Sequence, residues 1–136
     1  MAEPNLFHLR IISPTRVFYE GDVKMVELNT TEGEIGVLKE HIPLTTVLAP
    51  GVCYIYETDT EIKVAALHEG FIEILQDQVT ILAEIAEWPN EIDVERANEA
   101  RIRAERRLSE NASGTNIARA TLALKKSAVR IEAAKK

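Results

Sequence analysis

The chain has 136 residues, 46% of them apolar and 28% charged, with a formal net charge of −6, which suits one domain or a smaller domain carrying an appendage and is too short for two large ones. No apolar run approaches the roughly 18 residues of a membrane span, and the opening MAEPNLFHLR has neither the basic start nor the apolar stretch of a secretory signal. The single Cys53 excludes an internal disulfide and reads as a small core residue in Val52-Cys53-Tyr54-Ile55-Tyr56.

The charge is unevenly spread. Residues 1–90 hold 5 Lys+Arg against 15 Asp+Glu, a balance of −10, and residues 91–136 hold 11 against 7, a balance of +4. An acidic body with a basic tail suggests that the tail meets an acidic surface or phosphate groups. Nucleic acid is a poor partner, because the body would repel a duplex and the tail has no aromatic residue for base stacking.

In chain order, short runs of branched and aromatic residues predict strands at Leu6 to Ile12, Arg16 to Tyr19, Val23 to Leu28, Gly36 to Leu38, Val52 to Tyr56, Ile62 to Leu67, Phe71 to Leu75 and Val79 to Ile85. Turn signals lie at Ser13-Pro14, Glu20-Gly21, Glu32-Gly33, Pro50-Gly51, Thr58-Asp59, Glu69-Gly70 and Gln76-Asp77. That spacing predicts an all-β sandwich or barrel, with the segment between Pro43 and Pro50 at an edge or in a connection.

After Pro89 the composition turns to Ala, Arg, Lys, Glu and Leu, which favours helix. Asp93 is the expected first N-cap, with Asn90 as rival, and Asn116 caps a second helix after turn chemistry over Ser109 to Asn116. Ala97, Ala100, Ala104 and Leu108 form one stripe; Ala120, Ala123, Leu124, Ser127 and Ile131 form its counterpart. The tail therefore predicts a hairpin of two antiparallel helices, with residues 1–87 as a mainly β sandwich domain and 88–136 as the hairpin. Stripes of methyl groups bury little area, so the hairpin's hold on the body should be modest and two positions are conceivable for it.

Gly33-Glu34-Ile35-Gly36-Val37-Leu38 running into His41-Ile42-Pro43-Leu44, then Gly70-Phe71-Ile72-Glu73-Ile74-Leu75, Val79 to Glu84 and Ile92-Asp93-Val94-Glu95-Arg96-Ala97, together resemble the epsilon subunit of bacterial F-type ATP synthases over nearly the whole chain. The pattern departs at Leu67-His68-Glu69-Gly70, where the family more often has a small residue and two glycines. The resemblance implies a non-catalytic rotor component whose sandwich sits on the gamma subunit and the c-ring and whose helices regulate ATP hydrolysis. Membrane association would be peripheral, on the cytoplasmic face, and only through the complex.

The resemblance also implies site residues. Glu32, Gly33, Glu34 and His41 become c-ring contacts, although Glu32-Gly33-Glu34 is first of all a turn. Arg101, Arg103, Arg106 and Arg107 would dock on an acidic segment of a catalytic beta subunit; otherwise they form a solvated helix face paired with Glu99, Glu105 and Glu110. In ATP-binding members an Ile/Leu-Asp-x-x-Arg-Ala motif acts with an upstream Glu and basic residues of the second helix. Carried over, these are Ile92, Asp93, Arg96, Ala97, Glu87, Lys126 and Arg130, with Arg103 a further candidate, and Lys126 stands where that pattern has Arg. ATP is then a regulatory ligand and no cofactor is required.

The residues themselves carry no Gly-rich phosphate loop, metal-ligand spacing or nucleophile motif, and His8, His41 and His68 read as surface or hydrogen-bonded positions. A free-standing nucleotide-sensing adaptor and a small carboxylate-based hydrolase are the alternatives of other classes.

Overall fold

A computed structural model describes residues 5–110 and 116–136. Eight strands come first: β1 (Phe7–Ser13), β2 (Arg16–Val23), β3 (Met25–Thr30), β4 (Gly33–Leu38), β5 (Leu44–Leu48), β6 (Gly51–Tyr56), β7 (Ile62–Ile74) and β8 (Gln78–Glu87). A 3-10 turn at Pro89–Glu91 then leads into helices α1 (Val94–Glu110) and α2 (Ile117–Ala134). The strands neighbour one another in the order β2-β1-β8-β7-β5-β3-β4, with β6 bridging β3 and β7. Among the described residues only β1 and β8 pair in parallel. Alternating side chains such as Phe7, Leu9 and Ile11 of β1 and Val79, Ile81 and Ala83 of β8 point into one apolar core.

Three strand expectations are corrected. Glu20-Gly21 is not a turn: β2 continues through it, with Glu20 opposite Arg10 and Gly21 opposite Leu9. The register slips instead between Ile11 and Ile12, which face Tyr19 and Val17, so Phe18 is an extra residue turned into the core. The segment between Pro43 and Pro50 contains β5, because its prolines flank a Leu-Thr-Thr-Val-Leu run rather than interrupt it.

The third correction matters most. Glu69-Gly70 does not reverse the chain; Ile62–Ile74 is one 13-residue strand that kinks there, with φ 41° at Glu69 and 150° at Gly70. Before the kink β7 pairs with β6, and after it with β5. One strand thereby serves both faces of the sandwich.

The hairpin follows its sequence closely. Asp93 caps α1, its Oδ1 accepting from the Arg96 amide at 3.1 Å, and Asn116 caps α2 by accepting from the Arg119 amide at 3.0 Å. Asn90 lies in the 3-10 turn and is not the cap. Residues 111–115 of the expected turn lie outside the described residues, while Ser109 and Glu110 complete α1. Ala97, Ala104, Ala120 and Ser127 are buried as their stripes require. A second stripe was not anticipated: Val129 and Ala133 pack with Val52, Ala66 and Ile92, fastening α2 to the sandwich.

Trp88, placed with the hairpin by the sequence reading, packs on the sandwich. Its ring stacks on Phe18 with centroids 4.1 Å apart and meets Tyr19 edge-on. A chain ending at Trp88 is therefore expected to melt higher than one ending at Glu87, on the order of 5 °C, since such a stack contributes about 1 kcal/mol. Thermal denaturation of the two truncations checks this; equal midpoints would contradict it.

Candidate functional site

A cleft of about 440 Å³ opens where the end of β8, the 3-10 turn, α1 and α2 converge, lined by Glu87, Glu91, Asp93, Arg96, Ala97, Ala100, Arg103 and Arg130. Glu87 ends β8, Glu91 comes from the 3-10 turn, and Asp93 is the α1 cap. Arg96, Ala97, Ala100 and Arg103 follow at helical spacing along α1, and Arg130 reaches in from α2. Six of the eight residues carried over as ATP contacts thus meet in one place.

The other two do not line the cleft. Ile92 is buried in the apolar cluster that holds α2. Lys126 is turned to Glu69 on the β7 kink, Nζ to Oε1 2.6 Å. Glu91 and Ala100 line the cleft and were missed. Glu91 carried a signal, a carboxylate three residues after Trp88, and its Oε1 accepts from the Trp88 amide at 2.8 Å.

Charge within the cleft is arranged in pairs. Arg130 Nε donates to Glu87 Oε1 at 2.7 Å. Arg16 Nη2 of β2 donates to Glu91 Oε1 at 2.7 Å, tying the 3-10 turn to the sandwich. Among the described residues Arg96 and Arg103 make no ion pair. Two guanidiniums without an ion-pair partner therefore face the cleft, Arg96 in the first turn of α1 and Arg103 two turns further along, a setting that favours an anion able to accept bidentate bonds. The small Ala97 and Ala100 leave room for a flat ring against the helix, with Asp93 and Glu87 as acceptors for its donors.

Glu87 is held below the usual carboxylate range, by the His68 ring first, an effect that operates when that ring carries its second proton, and then by Arg130, against the opposing effect of burial. Glu91 is also lowered, by Arg16 first and then by the Trp88 amide. A carboxylate with a depressed folded-state pKa contributes stability above its ordinary value of 4.5 and loses it as pH falls through the folded value. Acid is accordingly expected to loosen the hairpin below pH 4.5, with Glu87→Gln removing part of the transition. Circular dichroism of the helices followed through an acid titration is the check, and identical curves for the two proteins would contradict it.

The surface expected to meet a c-ring is divided. Glu32, Gly33 and Glu34 lie at one end of β4 and His41 just beyond the other. Among the described residues β4 closes the strand order and pairs only with β3, so one edge connects the two groups, with Leu38 and Ile42 exposed near His41. Of the α1 arginines, Arg103, Arg106 and Arg107 share a face at i, i+3 and i+4. Arg101 lies opposite and pairs with Glu105, Nη1 to Oε1 3.7 Å. A third surface, unnamed by the sequence, is the row Val47, Phe71 and Leu82, direct cross-strand neighbours on β5, β7 and β8 that are each about half exposed. Among the described residues no group of His, Cys, Asp and Glu is placed to hold a metal ion, and no helix is long and apolar enough to cross a membrane.

A sandwich followed by a docked helix pair matches two adjoining family descriptions. "ATP synthase, Delta/Epsilon chain, beta-sandwich domain" matches residues 6–89, and "ATP synthase, Delta/Epsilon chain, long alpha-helix domain" matches residues 90–135. The ATP synthase epsilon chain of Caldanaerobacter subterraneus subsp. tengcongensis is 45% identical over 130 residues, 96% of this chain and 94% of that one. That of Halalkalibacterium halodurans is 43% identical, covering 93% and 96%. A chain of the Euglena gracilis mitochondrial ATP synthase superposes with a TM-score of 0.84 at 23% identity, over 100% of this chain and 85% of that one, a likeness of fold. The chain belongs to the ATP synthase epsilon chain family, whose members are non-catalytic subunits.

Proposed function

We propose that the chain is the central-stalk epsilon subunit of a proton-translocating ATP synthase, that it binds ATP in the cleft between sandwich and hairpin, and that its helices inhibit ATP hydrolysis when released. The observation that carries this reading is the convergence of Glu87, Asp93, Arg96, Ala97, Arg103 and Arg130 on one cleft. ATP would place its phosphates among Arg96, Arg103 and Arg130 and its adenine or ribose donors on Asp93 and Glu87.

Residues 1–87 then form the coupling domain. Its apolar row of Val47, Phe71 and Leu82 suits the gamma subunit, and its β4 edge, from Glu32-Gly33-Glu34 to His41, suits the c-ring; the subunit joins the membrane only through these partners. Residues 88–136 form the regulatory domain. Arg103 belongs to both proposed uses of α1, since it lines the cleft and shares a face with Arg106 and Arg107. It cannot hold phosphate and a catalytic beta subunit's carboxylate together, which makes the two positions of the hairpin mutually exclusive.

Replacing Arg101, Arg103, Arg106 and Arg107 by Ala keeps helix propensity and removes four charges. Hydrolysis by the assembled complex is expected to rise about threefold or more, with Arg101 alone contributing least because it faces away; the size follows from losing a few exposed charge contacts. Unchanged hydrolysis across a range of salt concentrations would overturn the docking role, and failure of the chain to recover gamma and c subunits in a pull-down would overturn the stalk assignment.

A further inference from the structure

Among the described residues His68 is the only fully buried side chain able to carry a positive charge, with 0% exposure. This corrects the sequence reading, which made it a surface or hydrogen-bonded position. It stands on β7 two residues after Ala66, on the face that α2 covers, and one residue before the kink. Neither ring nitrogen has a hydrogen-bond partner. Nε2 lies 3.4 Å from Glu87 Oε1, a long, oblique ion contact with the same oxygen that takes the 2.7 Å bond from Arg130. An imidazole buried without a partner costs stability that an apolar residue of similar size would not, so packing alone does not account for it.

The charged groups around it come from every neighbouring element. Glu87 belongs to β8, Lys126 and Arg130 to α2, and Glu69 to β7 itself. On this face β6 presents Val52 and Tyr54, while Cys53, opposite Ala65, points the other way into the sandwich core. Arg96, Arg103, Glu91 and Asp93 face Glu87 across the cleft. With Arg130 already on Glu87 and Lys126 on Glu69, each of these carboxylates is matched by a cation, so a proton on His68 would add a buried positive charge with no counter-charge of its own. Phosphates drawn to Arg130, Arg96 and Arg103 would reverse that balance, and Glu87 would then accept from a charged imidazole.

Resting on the nucleotide reading of the cleft, we propose that His68 is a positioning residue for Glu87 and takes up the proton that accompanies ATP binding. The proton comes from solvent and adds to the unprotonated ring nitrogen, while Nε2 holds the Glu87 carboxylate that receives the nucleoside. By linkage the ligand that raises the proton affinity of His68 is bound more tightly as pH falls, by at most about tenfold per pH unit for one proton.

Isothermal titration of the full chain with ATP at pH 6 and pH 8, in two buffers of different protonation enthalpy, tests this against His68→Gln. The wild type is expected to gain about fivefold or more in affinity at pH 6 over the gain seen in His68→Gln, whose remaining pH dependence reports protonation of ATP itself, and to take up more protons on binding. Equal pH dependence and equal uptake in the two proteins would overturn the role of His68 while leaving the cleft intact. If His68→Gln does not fold, the His68 ring resonance of the wild type decides: its titration should move to higher pH at saturating ATP, and an unmoved titration overturns the proposal. No ATP binding by the wild type at either pH overturns the nucleotide reading and this role with it.

Discussion

Gly70→Ala is expected to be the most damaging single substitution in the sandwich. A Cβ at Gly70 would lie 1.8 Å from the carbonyl oxygen of Leu82 on the paired strand, and the backbone φ of 150° is one that side chains resist. The oxygen belongs to the β7–β8 ladder and cannot step aside without breaking strand pairing. Strain and overpacking together are worth about 3–5 kcal/mol, a large share of the roughly 5–15 kcal/mol that holds a domain folded. Urea denaturation should show it as a much lower midpoint or as failure to fold. A midpoint close to the parent's would mean that β7 can change partners without this kink.

Arg130→Ala is expected to lower ATP affinity about 10–100-fold, the loss of one or two charge-assisted hydrogen bonds at about 1.5–3 kcal/mol. It also takes from Glu87 its 2.7 Å partner, so the hairpin should loosen even before nucleotide is added. Lys126→Ala should change affinity less than about threefold, because Lys126 is engaged with Glu69 and lies off the cleft; a surface salt bridge of this kind contributes little. The two affinities, measured by the same titration, separate the residues. Equal losses would put Lys126 on the phosphates despite its pairing with Glu69.

Much of this was legible in the residues because local signals and global fold agreed. Asp93 and Asn116 announced their helices through cap chemistry, and the Ala stripes announced helix against helix. The errors fell where a local signal has two physical uses. Glu69-Gly70 has the composition of a turn, but positive φ serves a kink within a strand equally well, and only the pairing of β7 with both β5 and β6 decides between them. Glu20-Gly21 misled in the same way, since a glycine in a strand is unusual without being forbidden. Pro43 and Pro50 hid β5 because they flank it at close range. The Val129–Ala133 stripe was unreadable for another reason: on a helix that buries two faces, a single periodic pattern accounts for only one of them.

For the cleft, the sequence supplied residue types and a motif but not which groups were already engaged. Lys126 and Arg130 are the same chemistry one helical turn apart, yet one is turned to Glu69 on the kink and the other to Glu87 at the cleft wall. The stretch from Asp93 to Ala97 is both cap and wall. Asp93 Oδ1 caps the Arg96 amide, which orients α1 so that the Arg96 side chain lines the cleft. Nothing in the spacing of His68 showed that it would be buried behind Glu87, since its neighbours there come from β8 and α2.

The central claim is that ATP occupies the cleft and thereby holds α2 on the sandwich. Amide hydrogen exchange of the full chain, with and without ATP, tests it most directly. If ATP binds only the docked hairpin, protection of the amides from Ile117 to Ala134 should rise with ATP concentration, about 100-fold when ATP exceeds its dissociation constant 100-fold, while amides of β1 and β2 change little. Unchanged α2 exchange at saturating ATP would contradict the account.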